Sequence, residues 1–303
     1  MNVMRHGCIL FLIACGLMSG PGAQADAPAT AMTWQQVDAL DTQDPVAQDK
    51  AFAQRVARQL GLSFHLVETD YFLFYTNLSP REAYEWQRVL DLMYERVSYL
   101  LGIPKDTNVF KGKALVFMFA EKGQFAAFER QFYQHEVTLE AALCHQHDRG
   151  QVRIALYKLE DEKYLKQVMI HESAHGVVHR FHSPARVIVW LNEGIAEWTA
   201  SRVLNYPQPY KWKKKVSAKD IRQKGQFDQA FFFPDAFPSQ HYGTALAMVE
   251  ILLRRGRPRF IRFIGAIKEG KTWQQSLRDE YDLSPDDLVR LYGQTINLPH
   301  LQR

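Results

Sequence analysis

Residues 165–178 have the sequence LKQVMIHESAHGVV, in which apolar residues surround two histidines and a glutamate. His171 and His175 are four positions apart, so on a helix they lie on one face about a turn apart. Both imidazoles can then reach a single Zn²⁺ ion at roughly 2.0–2.1 Å. Glu172 lies beside that face, where it can act as general base toward a water molecule. The stretch therefore predicts a buried helix, from about residue 160 to 181, that carries a zinc site.

A third zinc ligand has to come from outside this stretch. In a metzincin, a glycine and a histidine would follow in the same helix, but Val178 and Phe181 stand at those positions. The metzincin interpretation therefore fails. Residues 190–198, with the sequence WLNEGIAEW, supply two further carboxylates on a predicted second helix from about residue 191 to 204.

The H-E-x-x-H segment followed by W-L-N-E-G-x-A resembles the gluzincin metallopeptidases, especially the aminopeptidase-N family and the peptidase MA-like proteins. The resemblance implies that Glu193 is the third zinc ligand, although its distance from His175 in sequence is slightly short for those families. It also implies that Glu197, one helical turn later, accepts the N–H of a zinc-bound histidine. The alternative for Glu197 is a solvated helix glutamate.

A second, weaker match is the segment HYGTALAMVEIL at residues 241–252. It resembles the helix start in the same families whose tyrosine donates a hydrogen bond to the oxyanion of the reaction. Peptide hydrolysis needs such a donor, because negative charge develops on the former carbonyl oxygen. The resemblance assigns that role to Tyr242; the alternative is a core tyrosine at the start of a helix.

The chain also departs from the aminopeptidase pattern. It has no G-x-M-E-N motif, which those enzymes use to hold a free N-terminus, so an amino-exopeptidase is not expected. In the approximate place of that motif stands LCHQHD, residues 143–148. Cys144, His145 and His147 suggest either a second metal or a polar loop or edge strand beside a cleft, and the second interpretation is favoured.

Composition and patterning give the fold class. The 303 residues are 47% hydrophobic and 23% charged, which excludes a disordered chain, a collagen and a disulfide scaffold. The net charge of +4 gives no reason to expect a nucleic-acid partner. Strand patterns at 63–76, 113–120 and 152–157 enclose helices at about 81–101 and 125–133, and helices alone follow, which is typical of an α+β fold.

The resemblance refines this fold to a thermolysin-like gluzincin catalytic domain at residues 61–303. Its α/β lobe would span 61–181 and carry the H-E-x-x-H helix, and its helical lobe would span 182–303. Residues 26–60 are small, polar and proline-containing at their start, and are predicted to be a linker or N-terminal extension.

The N-terminus has the layout of a secretory signal. Residues 9–18 (ILFLIACGLM) are apolar, and the sequence AQA at 23–25 suits cleavage. We therefore expect a signal peptide at 1–25 and an exported protein, periplasmic or secreted, that begins at Asp26; N-terminal sequencing would check this. The alternative is a lipoprotein anchored through Cys15. Cleavage at Asp26 would leave Cys144 as the one cysteine, so no internal disulfide is expected.

Two basic stretches remain, KWKKKVSAK at 211–219 and RRGRPRFIR at 254–262. They are interpreted as solvated faces, with contact to anionic envelope material or an acidic substrate as the alternative.

Together these patterns predict an exported, zinc-dependent metallopeptidase that acts on a peptide or protein substrate. Two other functions stay open: a zinc hydrolase of a non-peptide envelope amide, and a non-catalytic zinc-binding protein of the envelope.

Overall fold

The computed structural model describes residues 32–41, 43–234 and 237–303. Within these ranges the strands are β1 (His65–Glu68), β2 (Phe72–Thr76), β3 (Ala114–Phe119), β4 (Ala142–Gln146) and β5 (Val152–Tyr157). The helices are α1 (Trp34–Asp38), α2 (Pro45–Leu60), α3 (Pro80–Leu101), α4 (Lys122–Tyr133), α5 (Glu162–Arg180), α6 (Val189–Val203), α7 (Gln208–Lys224), α8 (Tyr242–Arg254), α9 (Arg257–Lys268), α10 (Trp273–Tyr281) and α11 (Pro285–Thr295). Two short 3₁₀ helices, Gln229–Phe232 and Ser239–His241, precede α8.

The strands form one mixed sheet with the order β1-β2-β3-β5-β4. The inner strands β2, β3 and β5 run parallel, and the two outer strands pair antiparallel to their neighbours. β2 and β3 are buried almost throughout, because helices cover both faces of the sheet. A mixed sheet followed by helices alone confirms the predicted α+β class.

Aromatic side chains join the sheet to its two helical layers. On one face Phe117 of β3 packs against Phe52 of α2 and Phe128 of α4, with ring centroids 6.2 and 5.2 Å apart. On the other face Phe72 of β2 packs against Tyr94 of α3, at 6.3 Å. α5 lies beside α3 on this second face and crosses β4 and β5.

The segment predicted to be a linker or N-terminal extension, residues 26–60, is helical over most of its described part. It contains α1 and the 16-residue helix α2, which is capped by the side chain of Asp44. Apolar residues at helical spacing explain this, since Phe52 and Val56 are both buried against the sheet layer. The segment therefore packs on the rest of the fold, and Asp49 also bonds Arg153 of β5 at 2.9 Å.

The remaining helices position the functional residues. α6 packs between α5 and α8, and α7 packs along α8. The basic stretch at 211–219 lies within α7, a helix that the sequence interpretation did not identify. Helix α5 is buried along most of its length, as expected for a helix with apolar residues on every face.

Candidate metal centre

Helix α5 brings the two histidines of the H-E-x-x-H motif together, as the sequence predicts. Their ring centroids lie 4.7 Å apart and the ring planes cross at 86°. Each side chain is 1% exposed. Four-residue spacing on one helix is sufficient for this arrangement, because it places His171 and His175 on neighbouring turns of the same face.

Glu193 of α6 completes the cluster. Its Oε2 atom lies 3.0 Å from Nε2 of His171 and 3.6 Å from Nε2 of His175. Ligand atoms about 2.0–2.1 Å from a tetrahedral ion lie roughly 3.3–3.4 Å from one another, so these two distances bracket the spacing that zinc requires. The three side chains therefore converge at a separation that suits a shared ion.

A glycine beside Glu193 explains how α6 reaches this position. A Cβ atom at Gly194 would lie 2.6 Å from the carbonyl oxygen of Ala245 on α8. Only a residue without a side chain allows the two helix backbones to approach so closely. The N-E-G sequence thus combines the carboxylate with the contact that fixes its helix.

Glu172 is fully buried beside the histidines. One of its carboxylate oxygens lies within 4.8 Å of a ring nitrogen of each of His171 and His175, and these three residues form a group that could hold a metal ion. Burial raises the pKa of the Glu172 carboxyl, and the two histidines and the backbone of Cys144 on β4 offset this only in part. A carboxylate with a raised pKa is a stronger proton acceptor, which suits a general base.

The buried charges of the site act strongly on one another. Burial alone would lower the pKa of His171, but hydrogen bonds and charge from Glu193 and Glu197 raise it to about 10. Burial alone would raise the pKa of Glu193, but His175 and His171 hold it below its usual range. The pKa of His171 is therefore raised because two buried carboxylates flank its ring.

Glu197 lies behind His171, one helical turn after Glu193. Its Oε1 atom is 3.4 Å from Nδ1 of His171, and the same oxygen accepts from Nζ of Lys213 at 2.5 Å. Glu197 is 1% exposed, so the alternative of a solvated helix glutamate is wrong. Burial alone would raise the pKa of Glu197, but Lys213 and His171 outweigh that effect and lower it.

Tyr242 begins α8 near the same cluster. Its ring centroid is 6.0 Å from that of His171, and Phe237 packs edge-on against it at 5.3 Å. The ammonium group of Lys213 lies 5.6 Å from the ring centroid of Tyr242. The structure thus brings Tyr242 to the histidines, together with all the other residues that the sequence assigned to the site.

Unpaired polar atoms test whether a metal ion fits. Neither ring nitrogen of His175 has a hydrogen-bond partner in the described part of the chain, and the same holds for Oε1 of Glu193. Buried polar groups are normally hydrogen-bonded, so these atoms indicate a place for a ligand. Two imidazoles and a carboxylate are a typical donor set for Zn²⁺. The residues present fit a metal ion.

The residues at 143–148 form the edge strand β4 and its turn. His145 lies 3.0 Å from Oε2 of Glu129 and stacks on Tyr133, at 3.4 Å between ring centroids. Cys144, His145 and His147 do not converge as a metal-binding group among the described residues. The edge-strand interpretation is confirmed, and the second-metal alternative receives no support from the geometry.

Lys213 is the residue at this centre that the sequence interpretation missed. It had been placed with four other lysines on a solvated face, and Lys211, Lys215 and Lys219 are indeed exposed. No local pattern separates Lys213 from these neighbours, because its partner Glu197 lies on another helix. The alternative for the basic stretches, contact with anionic envelope material or an acidic substrate, stays a prediction.

No known family model and no curated protein matches this chain. Among the described residues, no helix is long and apolar enough to cross a membrane. The predicted signal peptide at 1–25 and the alternative anchor at Cys15 lie outside the described residues.

Proposed function

We propose that this protein is a zinc metallopeptidase of the gluzincin kind, with His171, His175 and Glu193 as the zinc ligands. The observation that carries the proposal is the position of Glu193, whose Oε2 atom lies 3.0 and 3.6 Å from the two imidazoles. We also propose that the α+β fold is thermolysin-like, with an α/β lobe at 61–181 and a helical lobe at 182–303.

The roles of the other residues follow from the chemistry of peptide hydrolysis. Zn²⁺ in such a site supplies a Lewis acid and lowers the pKa of a water molecule. Glu172 would accept the proton of the attacking water and later deliver it to the leaving amine. Tyr242 would donate a hydrogen bond to the oxyanion, where negative charge develops in the transition state.

The edge strand β4 supports a peptide rather than a non-peptide amide as substrate. β4 is the last strand on one side of the sheet. The backbone of Cys144 in β4 lies close enough to Glu172 to lower the pKa of its carboxyl. An extended peptide can add to an exposed sheet edge through main-chain hydrogen bonds. A peptide paired with β4 would therefore pass directly beside the proposed general base.

Glu172 also argues against a purely structural zinc site. A structural site is closed by four protein ligands and needs no proton acceptor. Burial of a carboxylate next to the ligands is unfavourable for folding, so its presence there indicates a task. General base catalysis supplies such a task.

The test compares the wild type with Glu172→Gln and measures zinc content and the cleavage of a mixture of unrelated peptides. Both proteins should hold about one Zn²⁺ per chain, because the ligands are unchanged. Turnover should fall by about 10²–10⁴-fold in the variant, the usual contribution of a general base. Glu162→Gln is the matched control, since Glu162 is an exposed residue in the first turn of the same helix.

Each possible result separates the functions. Zinc without peptide cleavage in the wild type would overturn the peptidase and leave the non-peptide hydrolase or the binding protein. Equal turnover in Glu172→Gln and the wild type would overturn the assigned mechanism. Absence of zinc from the wild type would overturn the site itself.

A further inference from the structure

We propose that Lys213 is a positioning residue of the metal centre, which holds the carboxylate of Glu197 against His171. This inference rests on the proposed zinc site and adds to it a residue from α7. One oxygen of Glu197, Oε1, lies 3.4 Å from Nδ1 of His171 and 2.5 Å from Nζ of Lys213. Lysine, carboxylate and imidazole thus form one continuous chain of contacts.

The ammonium group of Lys213 is fixed on more than one side. It lies 5.7 Å from the ring centroid of Tyr210 and 5.6 Å from that of Tyr242, both within the range of cation–π attraction. Its side chain is 23% exposed, against 34% for Lys214. Two aromatic rings and a buried carboxylate therefore restrict the lysine to one position.

The backbone of Lys213 is fixed as well. A Cβ atom at Gly243 would collide with the carbonyl oxygen of Lys213, so the glycine allows α7 and α8 to touch. One turn further along α7, the hydroxyl of Ser217 donates to the carbonyl of Gln240. These contacts hold Lys213 at a set distance from the start of α8, where Tyr242 lies.

The balance of buried charges favours a cation at the position of Lys213. Three carboxylates, those of Glu172, Glu193 and Glu197, are each at most 1% exposed. A divalent ion offsets two of these charges when the histidines are neutral, and one negative charge remains. Lys213 supplies the third positive charge, and an uncompensated buried charge would be strongly unfavourable.

The position of Glu197 matters because a carboxylate on the second ring nitrogen orients a metal-binding histidine. Replacing such a partner typically weakens metal binding 10–100-fold. Without Lys213, the Glu197 side chain loses the contact that holds Oε1 toward His171. The effect of losing Lys213 should therefore reach the metal through Glu197 and should not exceed the effect of losing Glu197 itself.

The experiment is a double-mutant cycle read out as zinc affinity, measured by competition with a chromophoric chelator. The proteins are the wild type, Lys213→Met, Glu197→Gln and the double variant. Lys213→Met should bind zinc about tenfold more weakly, within the range for such partners. The double variant should bind no more weakly than Glu197→Gln alone, because both changes break the same chain of contacts.

Lys214→Met is the matched control. Lys214 is the next residue on α7, but it pairs with Glu250 at 2.8 Å instead of with Glu197. Its zinc affinity should equal that of the wild type. The visible spectrum of the Co²⁺-loaded proteins gives a second measurement: the bands should move in Lys213→Met and stay in place in Lys214→Met. If Lys213→Met does not fold, Lys213→Gln replaces it.

Zinc affinity in Lys213→Met that is equal to or tighter than that of the wild type would overturn the inference and leave the zinc site intact. Additive losses in the double variant would also overturn it, because they would show that Lys213 acts independently of Glu197. Failure of the wild type to bind zinc would overturn the proposed function, and the inference with it.

Discussion

Helices α5 and α7 both reach the carboxylate of Glu197, but they are built very differently. α5 is buried along most of its length and supplies His171, at 3.4 Å. α7 has only Tyr210, Ser217, Ala218 and Ile221 buried among its 17 residues, and it supplies Lys213 at 2.5 Å. One helix belongs to the core and the other to the surface, yet both contribute to the same buried centre.

The difference shows that a residue can serve a buried site without a buried helix to carry it. A lysine has a long apolar stem, so it can extend from a surface helix and place its charge against an interior carboxylate. A histidine is short, so His171 reaches the buried Glu197 carboxylate only because its own helix lies in the core. The length of each side chain thus decides whether its helix has to be buried.

The largest effect is expected when a proposed zinc ligand on α5 is replaced. His175→Ala removes a proposed ligand. Zinc binding should therefore weaken by more than the 10–100-fold that is typical for a residue that only orients a ligand, such as Glu197. Metal analysis after dialysis against a chelator should find the variant empty and the wild type loaded.

His179→Ala is the control for that experiment, because His179 lies one turn further along α5 and packs against Trp34, at 5.0 Å between ring centroids. It should keep its zinc. Stoichiometric zinc in His175→Ala would show that the core helix does not supply the ligands.

Local patterns in the sequence were enough to predict α5 and most of the fold. Apolar residues surround the motif on every face, the strand at 114–119 is a continuous apolar run, and the strand at 152–157 is interrupted only by Arg153, so their burial follows from the sequence. Glu193 could be placed only through resemblance, since nothing in its spacing from His175 brings the two helices together.

Lys213 and α2 show where such patterns fail. Charged and polar neighbours separate Phe52 and Val56, so the sequence predicts only a linker or N-terminal extension and does not indicate the helix α2. Lys213 is 16 positions from Glu197 and lies on a different helix. Its role depends on how α6, α7 and α8 pack, and the sequence pattern of α7 does not predict that packing.

The second prediction compares two tyrosines, one on each side of the contact between α7 and α8. Tyr242→Phe should keep the zinc and leave ground-state binding nearly unchanged, since only the hydroxyl is removed. It should lower kcat by about 10²–10³-fold, the loss expected for one oxyanion donor.

Tyr210→Phe is the matched variant, because Tyr210 lies on α7 and its buried hydroxyl has no hydrogen-bond partner in the described part of the chain. Its kcat should stay within a few-fold of the wild type. Equal losses in the two variants would contradict a specific role for Tyr242 and would indicate a general effect of the aromatic packing around Lys213.

The smallest effect concerns the contact that joins α7 to the site. In Gly243→Ala the new methyl group would meet the backbone carbonyl of Lys213 and the hydroxyl of Ser217, and a backbone cannot move aside at low cost. Overpacking of this kind typically destabilises a protein by about 1–3 kcal/mol. Urea denaturation should show that loss in the free energy of unfolding.

Gly265→Ala in α9 is the control, because no atom outside its chain neighbours and the adjacent backbone of α9 lies within 4 Å of the Cβ that it would add. Alanine there should raise the free energy of unfolding by roughly 0.5–1 kcal/mol, the usual advantage of alanine over glycine inside a helix. Opposite signs in the two variants would establish that α7 is held tightly against α8. The same sign in both would mean that α7 can shift, and that the position of Lys213 depends on Glu197 and the two tyrosine rings instead of on the helix contact.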